Sequence, residues 1–480
     1  MAVNLNRNVR SELPCPNSTP SYWHSNPSKK LLGHCTTEVL PSATDIVIVG
    51  SGITGTFASR ELVAGGRSVV MVEAREACWG ATGRNGGHCQ PGVWANTPEA
   101  ARFELATFRT IAELVAEHDI PCDWQVIGGV HSIYSNEILD VAQKQLERLQ
   151  QYSDLKDKAT LILDKGELAA LNVPEAIAAV YQPNAAKFWP YKLVTWLLER
   201  LLADYDATAF NLQTNTPVEQ LERHGSSWIV HTKRGHIVAR EVLLASNAYT
   251  SYLLPKLAGL IIPVRAQVCA LAPPQEATQL SHSHVWIEGG DYQYLIQRGP
   301  EESQAEHSQT SPSIDRLLVF GGQKNVVPDG EQGVSRDDVV NPIIGRALRR
   351  ALNHAVKLVP GDIPDTEVLT AAYEWTGIMG YSRDDNPWVG RVPSTLLDAV
   401  GSESGADGLW ISAGYTGHGM PVAPGCAVAV AQMILGKESG VEVPREWMAS
   451  NERVETARSA KLPGVTEDRF SMQLGEGAAV

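Results

Sequence analysis

The sequence lacks long apolar runs. No uninterrupted stretch approaches the roughly 20 residues that a membrane-crossing helix needs, so no membrane partner is expected. Positive charge is not in excess either: 40 Lys+Arg stand against 54 Asp+Glu, a formal charge of −14. Nucleic acid and anionic lipid both ask for a basic face, so neither is expected as the main partner. Cysteine is sparse, 7 in 480 residues. Cys15, Cys35, Cys78, Cys89, Cys122, Cys269 and Cys426 form neither a CxxC pair nor a zinc spacing. No metal site is expected, and the odd count reads as reduced thiols in a cytoplasmic protein. The first thirty residues are polar and proline-rich without an apolar segment, so no secretory leader is expected. The last residues, Gly477-Ala478-Ala479-Val480, carry no organelle address. Internal repeats are missing too.

What is present is an ordinary globular balance, 43% hydrophobic and 20% charged. The length exceeds what one core usually holds, which implies two or more domains. Residues 1–43 form a Ser-, Pro- and Asn-rich arm in which Trp23, Leu31 and Leu32 suggest docking on the body. Asp45–Gly50 is a short β-branched run, the mark of a buried strand. A helix with Ile53, Phe57, Ala58 and Leu62 follows and ends at Gly65-Gly66, and Ser68–Glu73 is the next strand. This is a βαβ unit opening a doubly wound sheet.

Helical spacing recurs at Leu105, Phe108, Ala112 and Val115, at Ile138, Ala142, Leu146 and Leu149, and over Lys192–Asp204. Short strands are expected over 209–212, 218–221, 228–232 and 242–245. A second strand-rich block runs from Val264 to Gly322, broken by a polar loop at 299–314. One amphipathic helix is expected through Ile344, Leu348, Leu352 and Ala355, with Arg346, Arg349 and Arg350 on its solvated face. A helix is expected at 419–435, then a polar tail from about 446.

Gly50-Ser51-Gly52-Ile53-Thr54-Gly55 is a GxGxxG placed between a strand and a helix, and Glu73 follows 23 residues after Gly50 at the end of the next strand. The first glycine permits the tight turn, the second lets backbone approach a pyrophosphate, and the third lets helix pack on strand. The helix tip supplies free N–H groups. Glu73 suits ribose hydroxyls. Gly80–His88 (GATGRNGGH) has too little side chain to be core and suits backbone laid against a flat ligand. Near the end of the chain, Gly408–Met420 runs a strand into glycines and then into a helix whose first turn holds Pro421 and Pro424. A second helix tip thus points at something negative, as a reduced flavin is near N1 and C2=O.

Together, VIVGSGITG (47–55), EAR (73–75), GATGRNGGH (80–88), ASNAYT (245–250), IPVRAQ (262–267), FGG (320–322), WTGIMGYSRDDNPWVG (375–390) and GYTGHGM (414–420) resemble the D-amino-acid oxidase-like family of FAD-dependent oxidoreductases. The resemblance spans roughly 44–440. It is nearest to the gamma-glutamylputrescine oxidase-like members and to a GRNGG-containing branch common in fungi. It implies an α/β fold: a Rossmann-type, glutathione reductase-like FAD domain (44–97, 190–264 and 370–445) and a discontinuous mixed-sheet α+β substrate domain (98–189 and 265–369), with 446–480 as tail. It places Gly50, Ser51, Gly52, Thr54 and Gly55 at the pyrophosphate, and Glu73 and Arg75 on the adenosine side. Thr82, Arg84, Asn85, Gly86 and Gly87 would lie along the flavin and Val218 at the adenine. Ser246 and Asn247 would lie near pyrophosphate and ribose, and Gly417, His418, Gly419 and Met420 would meet the ring.

The family's common reaction oxidises a C–N bond, with hydride passing to flavin N5 and the imine then hydrolysed, while O2 or another acceptor takes the electrons. Catalytic candidates by this resemblance are His88, His418, Tyr381 and Arg383. Arg383 would hold a substrate carboxylate or pair with Asp384 or Asp385. Trp375 would wall the pocket or pack in the core. Tyr292 and Tyr294 share one face of a strand. Sarcosine oxidase-like members carry a lysine before the turn at Gly321-Gly322; here Lys324 follows it. Their flavin-linked cysteine falls near Gly377, so noncovalent FAD is expected, with Cys89 the one nearby thiol. A flavin monooxygenase is the competing expectation, although Ser412–Tyr415 lacks the Gly-Asp motif usual there. A third alternative is a scaffold that binds FAD only for folding. Substrate and oligomeric state are not legible.

Overall fold

The computed structural model describes residues 9–460 apart from 289, 300–315, 360–367, 398–406, 438–439 and 441. The polar loop expected at 299–314 falls almost wholly outside the described residues.

Five parallel strands organise the first sheet. Ala43–Val49 lies between Val69–Val72 and Gly235–Leu244. Phe210–Gln213 extends the first side, and Leu409–Ala413 pairs with Val242–Leu244 on the other. Ile46, Val47 and Ile48 are fully buried, as β-branched residues covered on both faces should be. Antiparallel strands Ser227–Thr232, Val218–His224 and Trp388–Arg391 complete the sheet. The parallel strands all end on one edge. Gly50, Glu73, Ala245 and Gly414 leave the sheet there, where doubly wound folds bind ligands.

The second sheet runs, edge to edge, Ala371–Ser382, Ile261–Leu271, Leu318–Gly321, Asp291–Gln297, Ser283–Glu288, Gly129–Ile133, Ala178–Gln182 and Thr160–Ile162. It is mixed, because Ser283–Trp286 pairs parallel with Gly129–Ser132 while the other pairs are antiparallel. The expected segment 370–445 therefore divides. Ala371–Ser382 pairs along its length with Ile261–Leu271 in the second sheet, and Trp388 onward belongs to the first.

The GxGxxG helix is Ile53–Ala64, and the late helix is Ala423–Ile434. The helix expected through 344–355 is two short ones, Pro342–Leu348 and Leu352–Ala355. The break lets the Arg349 guanidinium reach the Glu374 carboxylate, so Arg349 is not part of a solvated face. Residues after 446 are not all tail. Asn451–Ser459 is a helix that buries Val454 and Ala457, with Arg453 ion-paired to Asp384 at 2.8 Å over the Trp388 ring. The arm docks through Trp23 and Leu31, whereas Leu32 is exposed. Among the described residues no helix is long and apolar enough to cross a membrane.

Candidate cofactor and active site

One cavity of about 370 Å³ runs from the carboxyl edge of the first sheet to the face of the second. At its first end Gly50 takes φ +110, and a methyl group there would lie 2.8 Å from the Ala245 carbonyl oxygen. A methyl on Gly55 would lie 2.0 Å from the Gly50 carbonyl oxygen. The helix must therefore rest directly on the turn. Gly55 packs and does not line the cavity; Gly50, Gly52 and Thr54 do. Gly52 caps the helix with no side-chain hydrogen bond.

Glu73 is held before any ligand arrives. One of its oxygens accepts from Ser51 N at 3.0 Å and Ser51 Oγ at 2.7 Å, and the other from Arg75 N at 3.0 Å. Ser51 itself is fully buried behind the cavity, so it positions Glu73 and has no surface to offer a pyrophosphate. Arg75 and Arg84 both line the cavity, yet their guanidiniums turn to the buried Asp337 carboxylate at 3.0 and 3.2 Å. Arg84 Nη2 also donates to Thr19 Oγ1 at 2.6 Å, and Arg84 Nε to Thr376 O at 2.5 Å. Burial lowers Arg84 to about 10. Val218, Ser246 and Asn247 line this half with Leu13 and Pro14 of the arm.

The two helix tips are joined midway. Thr54 Oγ1 lies 3.0 Å from Tyr415 Oη, which lies 2.8 Å from Ser412 Oγ. Asn247 Oδ1 accepts from Gly414 N at 2.9 Å. Thr82, Asn85, Gly86, Gly417, His418, Gly419 and Met420 line this stretch. Gly87 does not: it turns at φ +66 against Trp23. Gly377 approaches Arg84 closely, and a methyl on it would lie 3.0 Å from Arg84 Cβ.

The far end is walled by Tyr292, Tyr294, Met379, Tyr381 and His131 of the second sheet, together with His88 and Gln90. The shared face of Tyr292 and Tyr294 is thus the cavity face. Lys324 lines it in an ion pair with Asp291. His88 Nε2 lies 2.9 Å from Ser283 Oγ. Burial, with His418 nearby, lowers His88 to about 3, and burial with both neighbouring histidines lowers His131 to about 3. His418 Nε2 lies 2.7 Å from the carboxylate of Glu104.

Two expectations are separated from this site. Arg383 lines a different cavity with Lys256 and Arg458, and its Nε donates to Ala460 O at 3.0 Å. The chain turns there because Arg383 N bonds Leu260 O at the edge of the second sheet. Trp375 is fully buried and donates to Arg84 O at 2.7 Å, so it supports the cavity floor from beneath.

FAD fits these residues. The close approaches at Gly50 and Gly52 leave a cradle that a Cβ would fill. Arg75 Nε and Tyr249 Oη are buried polar atoms without a protein partner on residues that line the cavity. No cysteine lines the cavity, and Cys89, where burial raises the thiol, is closed off from it.

Sequence reasoning missed Glu104, Asp337, Asp291, Gln90, His131 and the contribution of the arm. The signal for Glu104 was available, as a carboxylate on the buried stripe of the helix Pro98–His118.

The chain matches the family model for the FAD-dependent oxidoreductases called DAO over residues 45–433. It is 24% identical over 424 residues to a probable oxidoreductase OrdL of Rhizobium meliloti, covering 84% of this chain and 85% of that protein. It is 22% identical over 411 residues to gamma-glutamylputrescine oxidoreductase of Escherichia coli, covering 82% and 84%. Among solved structures, glycine oxidase from Geobacillus kaustophilus superposes with a TM-score of 0.66 at 20% identity, covering 85% of this chain and 99% of that one.

Proposed function

The chain belongs to the DAO family of FAD-dependent oxidoreductases, and from that premise we propose that it oxidises a C–N bond of a small amine in the cavity between its two sheets. One observation carries the reading. The cavity that begins in the glycine cradle ends in a chamber of tyrosines and neutral histidines, large enough for a small molecule and reachable from the joined helix tips.

FAD, when bound, supplies the acceptor for the hydride that leaves the carbon bearing nitrogen. The chain's own groups do the rest. Tyr292, Tyr294 and Met379 enclose the substrate and exclude water. His88, His418 and Tyr381 face the reacting end. FAD is held noncovalently, and O2 or another acceptor takes the electrons. The seven free thiols support a reducing, cytoplasmic setting.

The charge pattern favours an amine without an α-carboxylate. Arg75 and Arg84 are the arginines that line the cavity among the described residues, and both are committed to Asp337. Lys324 is committed to Asp291. A carboxylate would enter a chamber holding Asp291, with Glu104 behind His418, where Lys324, the Lys or Arg at that end among the described residues, is already paired.

Anaerobic mixing with matched pairs tests this: n-butylamine against norvaline, phenethylamine against phenylalanine. The amine should bleach the flavin and its α-carboxylated partner should be slower by at least about 10-fold. Faster bleaching by the amino acids would overturn the preference, and bleaching by neither class would overturn the function.

A further inference from the structure

Glu104 has no solvent exposure, yet both of its oxygens are engaged. One accepts from Asn96 Nδ2 at 2.8 Å. The other accepts from Gly92 N at 2.7 Å and lies 2.7 Å from His418 Nε2. Both other neighbours of this carboxylate donate to it, and a carboxylate that accepts from the ring as well places the proton on the ring nitrogen facing it. A neutral imidazole then keeps Nδ1 bare. No described residue hydrogen-bonds Nδ1, and the ring lines the cavity. The order from inside outward is carboxylate, imidazole, cavity.

We propose that His418 Nδ1 is the base that takes a proton from the substrate ammonium, and that Glu104 is the positioning residue that fixes its tautomer. The proposal rests on the C–N oxidation reading. An ammonium has no nitrogen lone pair to assist departure of hydride from the adjacent carbon, so the proton must leave first. In the step, an N–H bond of the ammonium breaks and an Nδ1–H bond forms, with no change in oxidation state. The imidazolium is then stabilised by the carboxylate 2.7 Å behind it.

The neighbouring histidines are arranged for other work. His88 Nε2 meets Ser283 Oγ, and Ser283 Oγ donates to Gly128 O at 3.1 Å, so no carboxylate stands behind that ring. His131 Nδ1 accepts from Trp94 Nε1 at 3.1 Å and its Nε2 is covered by glutamine amides, which closes both nitrogens. Burial holds both rings neutral. The titratable groups that face His418 are thus Glu104 from the helix Pro98–His118, His88 and His131 from the cavity wall, and Tyr381, whose Oη lies near Gly417.

The test uses FAD-loaded wild type, Glu104→Gln and His418→Gln, with flavin content read from the visible spectrum. In ¹⁵N-histidine-labelled protein, the resonance lost in His418→Gln should show the Nε2–H tautomer in wild type and a mixture in Glu104→Gln. Anaerobic bleaching by n-butylamine and phenethylamine at neutral pH should fall by about 10²- to 10⁴-fold in both variants. It should recover at alkaline pH, where the amine arrives already deprotonated. A merely structural Glu104 would lower the rate equally at every pH. An Nδ1–H tautomer in wild type, or wild-type rates in His418→Gln at neutral pH, overturns the proposal. If neither amine bleaches wild type although the tautomer is as stated, the function falls and this assignment of the base falls with it.

Discussion

Asp337 sits 262 residues from Arg75 in the chain and binds two guanidiniums that the sequence assigned to the cofactor. Glycine roles were legible because a backbone approach admits no other residue, as the 2.0 Å between a Gly55 methyl and the Gly50 oxygen makes plain. Charged partners were not, because nothing local tells an arginine which distant carboxylate it will meet. The buried histidines extend the same lesson. Burial lowers His131 and His284 to about 3, below the ordinary value of about 6.5. The unfolded chain therefore binds more protons than the folded one between those values. Stability is full above about pH 6.5 and is lost as pH falls toward 3, at up to about 1.4 kcal/mol per pH unit for each ring. Urea midpoints should be flat from pH 8 to 7 and drop between pH 6 and 5. Midpoints that rise on acidification would contradict the burial of these rings.

Elements with a full apolar face were readable, and those with a narrow one were not. The strand Ala43–Val49 and the helix Ile53–Ala64 lie within two residues of their expected limits. The helix Asn451–Ser459 was not legible because its apolar face is narrow, Val454 and Ala457, and the rest of its attachment is polar, through Arg453 to Asp384 and Asn451 to Thr395. The arm was expected to dock, but not to build the site. Ser21 Oγ donates to Gly83 O at 2.8 Å, Trp23 Nε1 donates to Asn85 O at 2.6 Å, and Thr19 braces Arg84. All three act on the segment 82–86, most of which lines the cavity. Trp23→Ala should cost about 3–5 kcal/mol through the cavity it leaves and should release FAD more readily on dilution, measured by thermal melting and flavin fluorescence. A variant that melts lower but keeps its flavin as tightly would show the arm to be packing alone.

Across the whole molecule, the site belongs to neither sheet. The first sheet supplies the glycine cradle and Glu73, the second supplies Tyr292, Tyr294 and Tyr381, and Thr54 with Tyr415 closes the seam. The cofactor half was legible since its demands are written in contiguous motifs. The tyrosine end of the cavity was not, since Asp291, His131 and Glu104 converge from separate strands and a helix, and Ala371–Ser382 pairs in the second sheet. The molecule is thus two walls around one cavity. The most direct measurement is an oxygen-free titration of the FAD-loaded protein with a bleaching amine, followed by product analysis. The account predicts one flavin reduced per amine consumed, with aldehyde and ammonia released in equal amount. A flavin that stays oxidised with every amine and amino acid, yet is reduced by NADPH, would contradict it.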